Sequence, residues 1–181
     1  GGLSMGAGEP TKIIFGTDGW RAKIGDEYTF ENVRRLAYGV ARVVVEDGAA
    51  AKSVVIAYDR RFGSEDFAVA AAEVLLAHGI PVAYAATATP TQMASYEVVA
   101  RGAAMGVVIT ASHNPPEYNG YKVYWGNAAQ IIPPHDKGIS AAIDGIAKED
   151  LLYGLAGDGH RNPAGEVASS VGYLKRLRRE A

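Results

Sequence analysis

The chain contains no cysteine. That excludes a disulfide scaffold, a thiolate metal site and a cysteine nucleophile. Charge of either sign is not in excess. Eighteen Lys and Arg stand against 20 Asp and Glu, a formal net charge of −2, so no strong field is aimed at nucleic acid or an anionic membrane. No apolar run approaches the ~20 residues of a membrane span, and no leader pattern opens the chain. A cytoplasmic protein with neither nucleic acid nor membrane as partner is the expectation. The nucleotide-binding signatures G-x-x-x-x-G-K-[ST] and G-x-G-x-x-G after a strand are missing, as is H-E-x-x-H. No Asp-x-Asp occurs either, so a hard divalent cation lacks its usual carboxylate ligands. What is there is an ordinary globular composition: 181 residues, 48% hydrophobic and 21% charged. That length supports one substantial core.

Residues 1–11 read as a disordered or appended terminus. From Lys12 the chain alternates between two hydrophobic periods. Lys12 to Gly16 is a short β-type run. Thr29 suits a helix N-cap, and Val33, Leu36, Ala37, Val40, Ala41 and Val44 follow at helical spacing until Gly48. Ser53 to Tyr58 is a buried strand. Ser64 opens a second helix that Gly79 stops. Ile80 to Ala86 is a third strand, Pro90 to Ala100 a helix, and Ala104 to Thr110 a fourth strand, apolar throughout. Strands of this kind, each followed by a helix, indicate a mostly parallel sheet covered on both faces. The expected fold is therefore α/β, a three-layer α/β/α sandwich. Tyr121 to Trp125 and Gln130 to Ile132 flank Gly126-Asn127 and read as a C-terminal β-hairpin at the sheet edge. Pro133-Pro134 open a last helix to about Ala147. Residues 148–181, broken by Gly154, Gly157, Gly159, Pro163 and Gly165, read as a linker that feeds a further domain.

Three clusters fall at or just after predicted strand exits, where open parallel sheets bind ligands. Thr110-Ala111-Ser112-His113-Asn114-Pro115 leaves the fourth strand. The same residues suit a polar turn. His113 is not the base for Ser112, because neighbouring side chains on an extended segment point to opposite sides; it is a candidate ligand contact. Tyr58-Asp59-Arg60-Arg61 leaves the second buried strand, where Asp59 can hold one arginine while the other faces solvent. Asn119-Gly120-Tyr121-Lys122 follows the serine loop and returns Lys122 toward Ser112; a lysine in such a place can transfer protons. A fourth cluster, Phe15-Gly16-Thr17-Asp18-Gly19-Trp20-Arg21, is a donor-rich turn ending in an arginine, which suits a phosphate. A hydroxyl amid Arg21, Arg60 or Arg61, His113 and Lys122 would suit a phosphorylated serine, with about −1.5 to −2 charges to balance.

These four motifs together resemble the first domain of the α-D-phosphohexomutase family (phosphoglucomutase/phosphomannomutase), over roughly residues 12–147. Thr110 to Pro115 is similar to the family's phosphoserine loop without a mismatch. Phe15 to Arg21, Asp59-x-Arg61 and Asn119-Gly120-x-Lys122 match its other elements. The resemblance implies that Ser112 carries the phosphoryl group between the two hydroxyls of a hexose phosphate substrate, by way of a sugar bisphosphate that also serves as primer. It implies Lys122 as acid/base, with Arg21, Thr17, His113, Arg61 and Asn114 about the phosphoryl group. It further implies Mg2+ bound to the Ser112 phosphoryl group and to an acidic loop of a second domain. Ala22 departs from the family's frequent glycine. Tyr173 to Leu177 resembles the start of the second domain, and 118–139 is closer to glucose- or pentose-type mutases than to mannose-type ones. On this reading domains 2–4 are the chain's partners, and a one-domain chain is inactive and exposes apolar faces that favour dimers. Two other readings stay open: a stand-alone sugar-phosphate binding module without catalysis, and a nucleotide-binding α/β domain.

Overall fold

A computed structural model describes residues 11–16, 19–129 and 135–144. Thr17, the returning hairpin arm Gln130–Ile132, the Pro133-Pro134 helix start and the 148–181 linker lie outside the described residues. The elements run β1 (Trp20–Lys23), α1 (Phe30–Glu46), β2 (Val54–Tyr58), α2 (Ser64–Ala77), β3 (Val82–Tyr84), α3 (Thr91–Ala100), β4 (Met105–Ile109), β5 (Tyr118–Trp125) and α4 (His135–Asp144).

Local signals set the helices. Thr29 is extended (φ −122°, ψ 163°), and its hydroxyl accepts from the Asn32 N–H at 3.2 Å, which caps α1. Every apolar position of the expected α1 face, from Val33 to Val44, is buried. Gly79, with φ +75°, closes the turn after α2 in the left-handed region. Pro90 precedes the first residue of α3.

The five strands form one sheet in the order β1-β5-β4-β2-β3. β2 is parallel to β3 and to β4. β5 is antiparallel to both its neighbours, so it alone runs against the other four. From β2 the chain steps out to β3 through α2, then back across β2 to β4 through α3. Right-handed crossovers therefore place α2 and α3 on opposite faces. α1 packs against both α2 and α4. On that face Ile56, Tyr58, Val107, Ile109, Tyr121 and Val123 join the helices in one core. The alternate residues Val55, Ala57, Val108 and Tyr124 face the other way, toward Ala94 and Val98 of α3.

The sandwich expected from the sequence is therefore the observed fold, with two corrections. The first strand is not Lys12–Gly16. Ile13 and Phe15 are buried, but the Phe15 N–H donates to Ser140 Oγ of α4 at 3.1 Å instead of to a strand. Pairing begins at Trp20, opposite Tyr121. The antiparallel element is not an edge hairpin either. A turn does occur, with Ala128 N–H on the Trp125 carbonyl and Trp125 N–H on the Ala129 carbonyl, both at 2.8 Å. However, β5 starts at Tyr118 and lies inside the sheet between β1 and β4. Tyr121 and Val123 bury one of its faces and Tyr124 the other, as suits an interior strand. β3 is also shorter than the expected Ile80–Ala86.

This topology prepares the site. α3 lies over β2 and β4. On the same side of the sheet, the β1–β5 pair presents Arg21, Lys23 and the half-buried Lys122.

Candidate active site

β4 ends at Ile109, and the chain turns at once. The Thr110 N–H donates to the Gly120 carbonyl at 3.0 Å, the last rung between the two strands. The Thr110 hydroxyl accepts from the Ser112 N–H at 3.1 Å, and the Asn114 N–H donates to the Ala111 carbonyl at 3.0 Å. Ser112 sits at the tip with φ +53°. A left-handed non-glycine residue costs roughly 1–2 kcal/mol and persists only where its surroundings impose it. The side chain is exposed.

Two cations approach this tip from adjacent strands. Lys122 Nζ donates to Ser112 Oγ at 2.7 Å. Arg21 Nη1 donates to Asn114 Oδ1 at 3.1 Å. Arg21 pairs with Gly120 across β1 and β5, so it shares a face with Lys122, two residues further along β5. Gly120 is required between them. A Cβ there would stand 2.5 Å from the Thr110 carbonyl oxygen and 3.0 Å from Arg21 Cγ. Its own carbonyl also accepts from the buried Tyr28 hydroxyl at 2.8 Å. Burial pushes the Tyr28 phenol well above its ordinary range, so it stays a neutral donor.

Arg61, expected among the phosphate contacts, instead turns its guanidinium on the chain. Nη1 donates to the carbonyls of Pro115 (2.8 Å) and Tyr118 (3.0 Å), and Nη2 to those of Ser112 (2.8 Å) and Asn114 (2.7 Å). Nε stands 3.3 Å from Asp59 Oδ2. All five donors of the fork are therefore engaged. Asp59 holds this arginine, and Arg60 is the one that faces solvent. His113 is exposed beside Ser112. Of the expected residues, Ser112 is hydrogen-bonded to Lys122 and Asn114 to Arg21, two pairs at one loop.

Two residues of the site have no role of their own in the sequence reading. Ser64 Oγ donates to Asp59 Oδ1 at 2.7 Å and accepts from Asn119 Nδ2 at 2.9 Å. Both Ser64 and Asn119 are fully buried. Ser64 reads in sequence as a helix start, and Asn119 only as the first residue of the Asn119-Gly120-Tyr121-Lys122 cluster. Their signal was the burial of polar groups, which shows only in three dimensions. Among the described residues, no group of three or more His, Asp or Glu could hold a metal ion.

Residues 12–150 match the family model described as phosphoglucomutase/phosphomannomutase, alpha/beta/alpha domain I. The chain belongs to this family. It is 44% identical over 138 residues to the "Probable phosphoribomutase" of Schizosaccharomyces pombe, which covers 74% of this chain and 24% of that protein. It is 40% identical over 144 residues to the phosphopentomutase of Homo sapiens, with the same two coverages. Its fold is similar to the crystal structure of a presumed phosphomannomutase from Thermus thermophilus. The TM-score is 0.71 at 36% identity, over 74% of this chain and 30% of that one. The chain thus spans about a quarter of the length of the curated relatives it matches. The group around Ser112 lies within this phosphomutase-family domain.

Proposed function

We propose that Ser112 is the phosphoryl carrier of a sugar-phosphate mutase. The observation that carries this reading is the 2.7 Å bond from Lys122 Nζ to an exposed hydroxyl at a strand exit. In the reaction, phosphorylated Ser112 loses its phosphoryl group to a free hydroxyl of a sugar monophosphate. The Oγ–P bond breaks and a sugar O–P bond forms. Lys122 protonates the departing Oγ, and the proton given up by the sugar hydroxyl restores the ammonium. Return of the other phosphoryl group from the bisphosphate to Ser112 runs the same steps backwards. Arg21 lies where a guanidinium can meet phosphoryl oxygens, and positioned charge is the main device of such transfers. His113 and Asn114 flank the same group, and Thr17 precedes Arg21 in the turn.

Magnesium suits a phosphoserine oxygen, and Ser112 would give one ligand in that form. The described residues add no carboxylate cluster, so they do not make a magnesium site by themselves. The other ligands belong to the rest of the protein, and the 181-residue chain alone is inactive.

The substrate class is a sugar monophosphate with a second free hydroxyl. Hexose phosphate is the expectation from the family motifs. Pentose phosphate is a second reading, favoured by the names of the relatives at 44% and 40% identity. The test uses the full-length protein with magnesium and a sugar bisphosphate. Ser112 should gain one phosphoryl group by intact-mass analysis and peptide mapping, and Ser112→Ala should abolish both this and turnover. Side-by-side assays with glucose 1-phosphate and ribose 1-phosphate assign the sugar. Turnover retained in Ser112→Ala refutes the reading.

A further inference from the structure

One bracket of hydrogen bonds holds both members of the Ser112–Lys122 pair, and Asp59 is its node. Through Oδ2 Asp59 faces Arg61 Nε, and through Oδ1 it accepts the Arg61 N–H at 2.9 Å. Arg61 in turn grips four carbonyls of the segment 112–118. That segment is poor in donors of its own, because Pro115 and Pro116 have no N–H. A single planar fork thus supplies donors on both sides of the two prolines, where the local turn gives only the Tyr118 N–H, on the Pro115 carbonyl at 3.0 Å. On its other side, Asp59 Oδ1 accepts from Ser64 Oγ, Ser64 accepts from Asn119 Nδ2, and Asn119 Oδ1 accepts from the Gly120 N–H at 2.8 Å. This second arm fixes the start of β5, three residues before Lys122.

We propose that Asp59 and Arg61 are positioning residues that set Ser112 and Lys122 at hydrogen-bond distance for phosphoryl transfer. The inference rests on the reading of Ser112 as phosphoryl carrier. Neither residue touches the reacting atoms. The Asp59–Arg61 pair binds the loop that carries the hydroxyl to the strand that carries the amine. A small displacement between reacting groups costs large factors in rate, so the bracket acts on the chemical step more than on substrate binding. Lysine cannot replace Arg61, because one ammonium lacks the fork that reaches four carbonyls.

The experiment uses the full-length protein, with single-turnover phosphorylation of Ser112 by a sugar bisphosphate as the main readout. Arg61→Lys and Asp59→Asn are each expected to slow it by about 10²-fold. The sugar-phosphate KM should change less than about threefold, because the pair does not touch substrate. In a Lys122→Ala background the further loss from Asp59→Asn should shrink to about threefold or less, since residues that act as a unit are non-additive. A purely structural role would give the same loss in both backgrounds. If Arg61→Lys does not fold, Asp59→Asn decides alone. Phosphorylation within about threefold of the parent in a folded Asp59→Asn protein, or full additivity with Lys122→Ala, overturns the proposal. Phosphoryl uptake that survives Ser112→Ala refutes the carrier reading instead, so the two failures are distinct.

Discussion

Lys122 and Ser112 meet at 2.7 Å because β4 and β5 are antiparallel neighbours. Val108 pairs with Lys122, and the loop beyond β4 folds back over that rung. The bond leaves the amine on the oxygen that must be protonated when phosphate departs. Lys122→Met, which keeps the aliphatic stem and removes the donor, should lower kcat of the full-length protein by about 10²–10⁴-fold. Melting should change little, since the side chain is only half-buried. Steady-state kinetics beside a thermal melt check both halves of the expectation.

Gly19 and Gly48 separate two costs. Both have positive φ, +79° and +71°. A Cβ on Gly19 would stand 2.1 Å from the Tyr121 carbonyl oxygen, whereas Gly48 has nothing within 4 Å. Gly48→Ala should cost about 1–2 kcal/mol, the left-handed term alone. Gly19→Ala should cost about 3 kcal/mol or more, because β1 must also move off β5. Urea denaturation of the two variants reads the difference; equal costs would contradict the close approach.

Gly106 lets α3 sit down on the sheet. An added Cβ would meet Val98 Cγ2 at 2.5 Å, and Val98 is fully buried. Gly106→Ala should therefore cost about 1–3 kcal/mol by overpacking. Val98→Ala should cost roughly 1–2 kcal/mol through the space it leaves. The double variant should be more stable than the sum of the two predicts, because each change relieves the other. A double-mutant cycle in urea tests the coupling, and simple additivity would count against this packing.

Glu73 on α2 makes stability depend on pH. Its carboxyl lies above the ordinary range, chiefly through burial, with Arg34 acting in the opposite direction. A raised folded value favours the neutral acid. That contribution is fully present below the unfolded value of ~4.3 and is lost as pH rises through the folded one. Glu73→Gln should thus raise the melting temperature at about pH 7 and leave it nearly unchanged at about pH 4. A larger gain at the acid end would reverse the sign and exclude this account.

Much of this molecule is legible along the chain. The α1 face, the Thr29 cap and the buried strands β2 and β4 follow from hydrophobic period and capping, which act between residues a turn or a pleat apart. Ser112, Lys122, Arg21 and Asn114 are marked by motifs whose polar residues fall at or near strand exits. The position of β5 inside the sheet was not legible, because an antiparallel strand can pair at an edge or between neighbours with the same local pattern. Nor was the task of Arg61. A guanidinium at a strand exit suits a phosphate and a cluster of carbonyls equally well, and only the return of the chain supplies the carbonyls, 51–57 residues away in sequence.

The sequence by itself therefore determined the helices α1 to α3, the buried strands β2 and β4 and the chemical groups at the rim, but not β1, since short-range geometry and solvent exclusion suffice for the former. Tertiary structure decided which strand became the sheet's interior, which cation meets the hydroxyl and which is bound up in holding the loop. Those outcomes depend on long-range pairing and on the demand that buried or donor-poor polar groups find partners, and no local pattern encodes them.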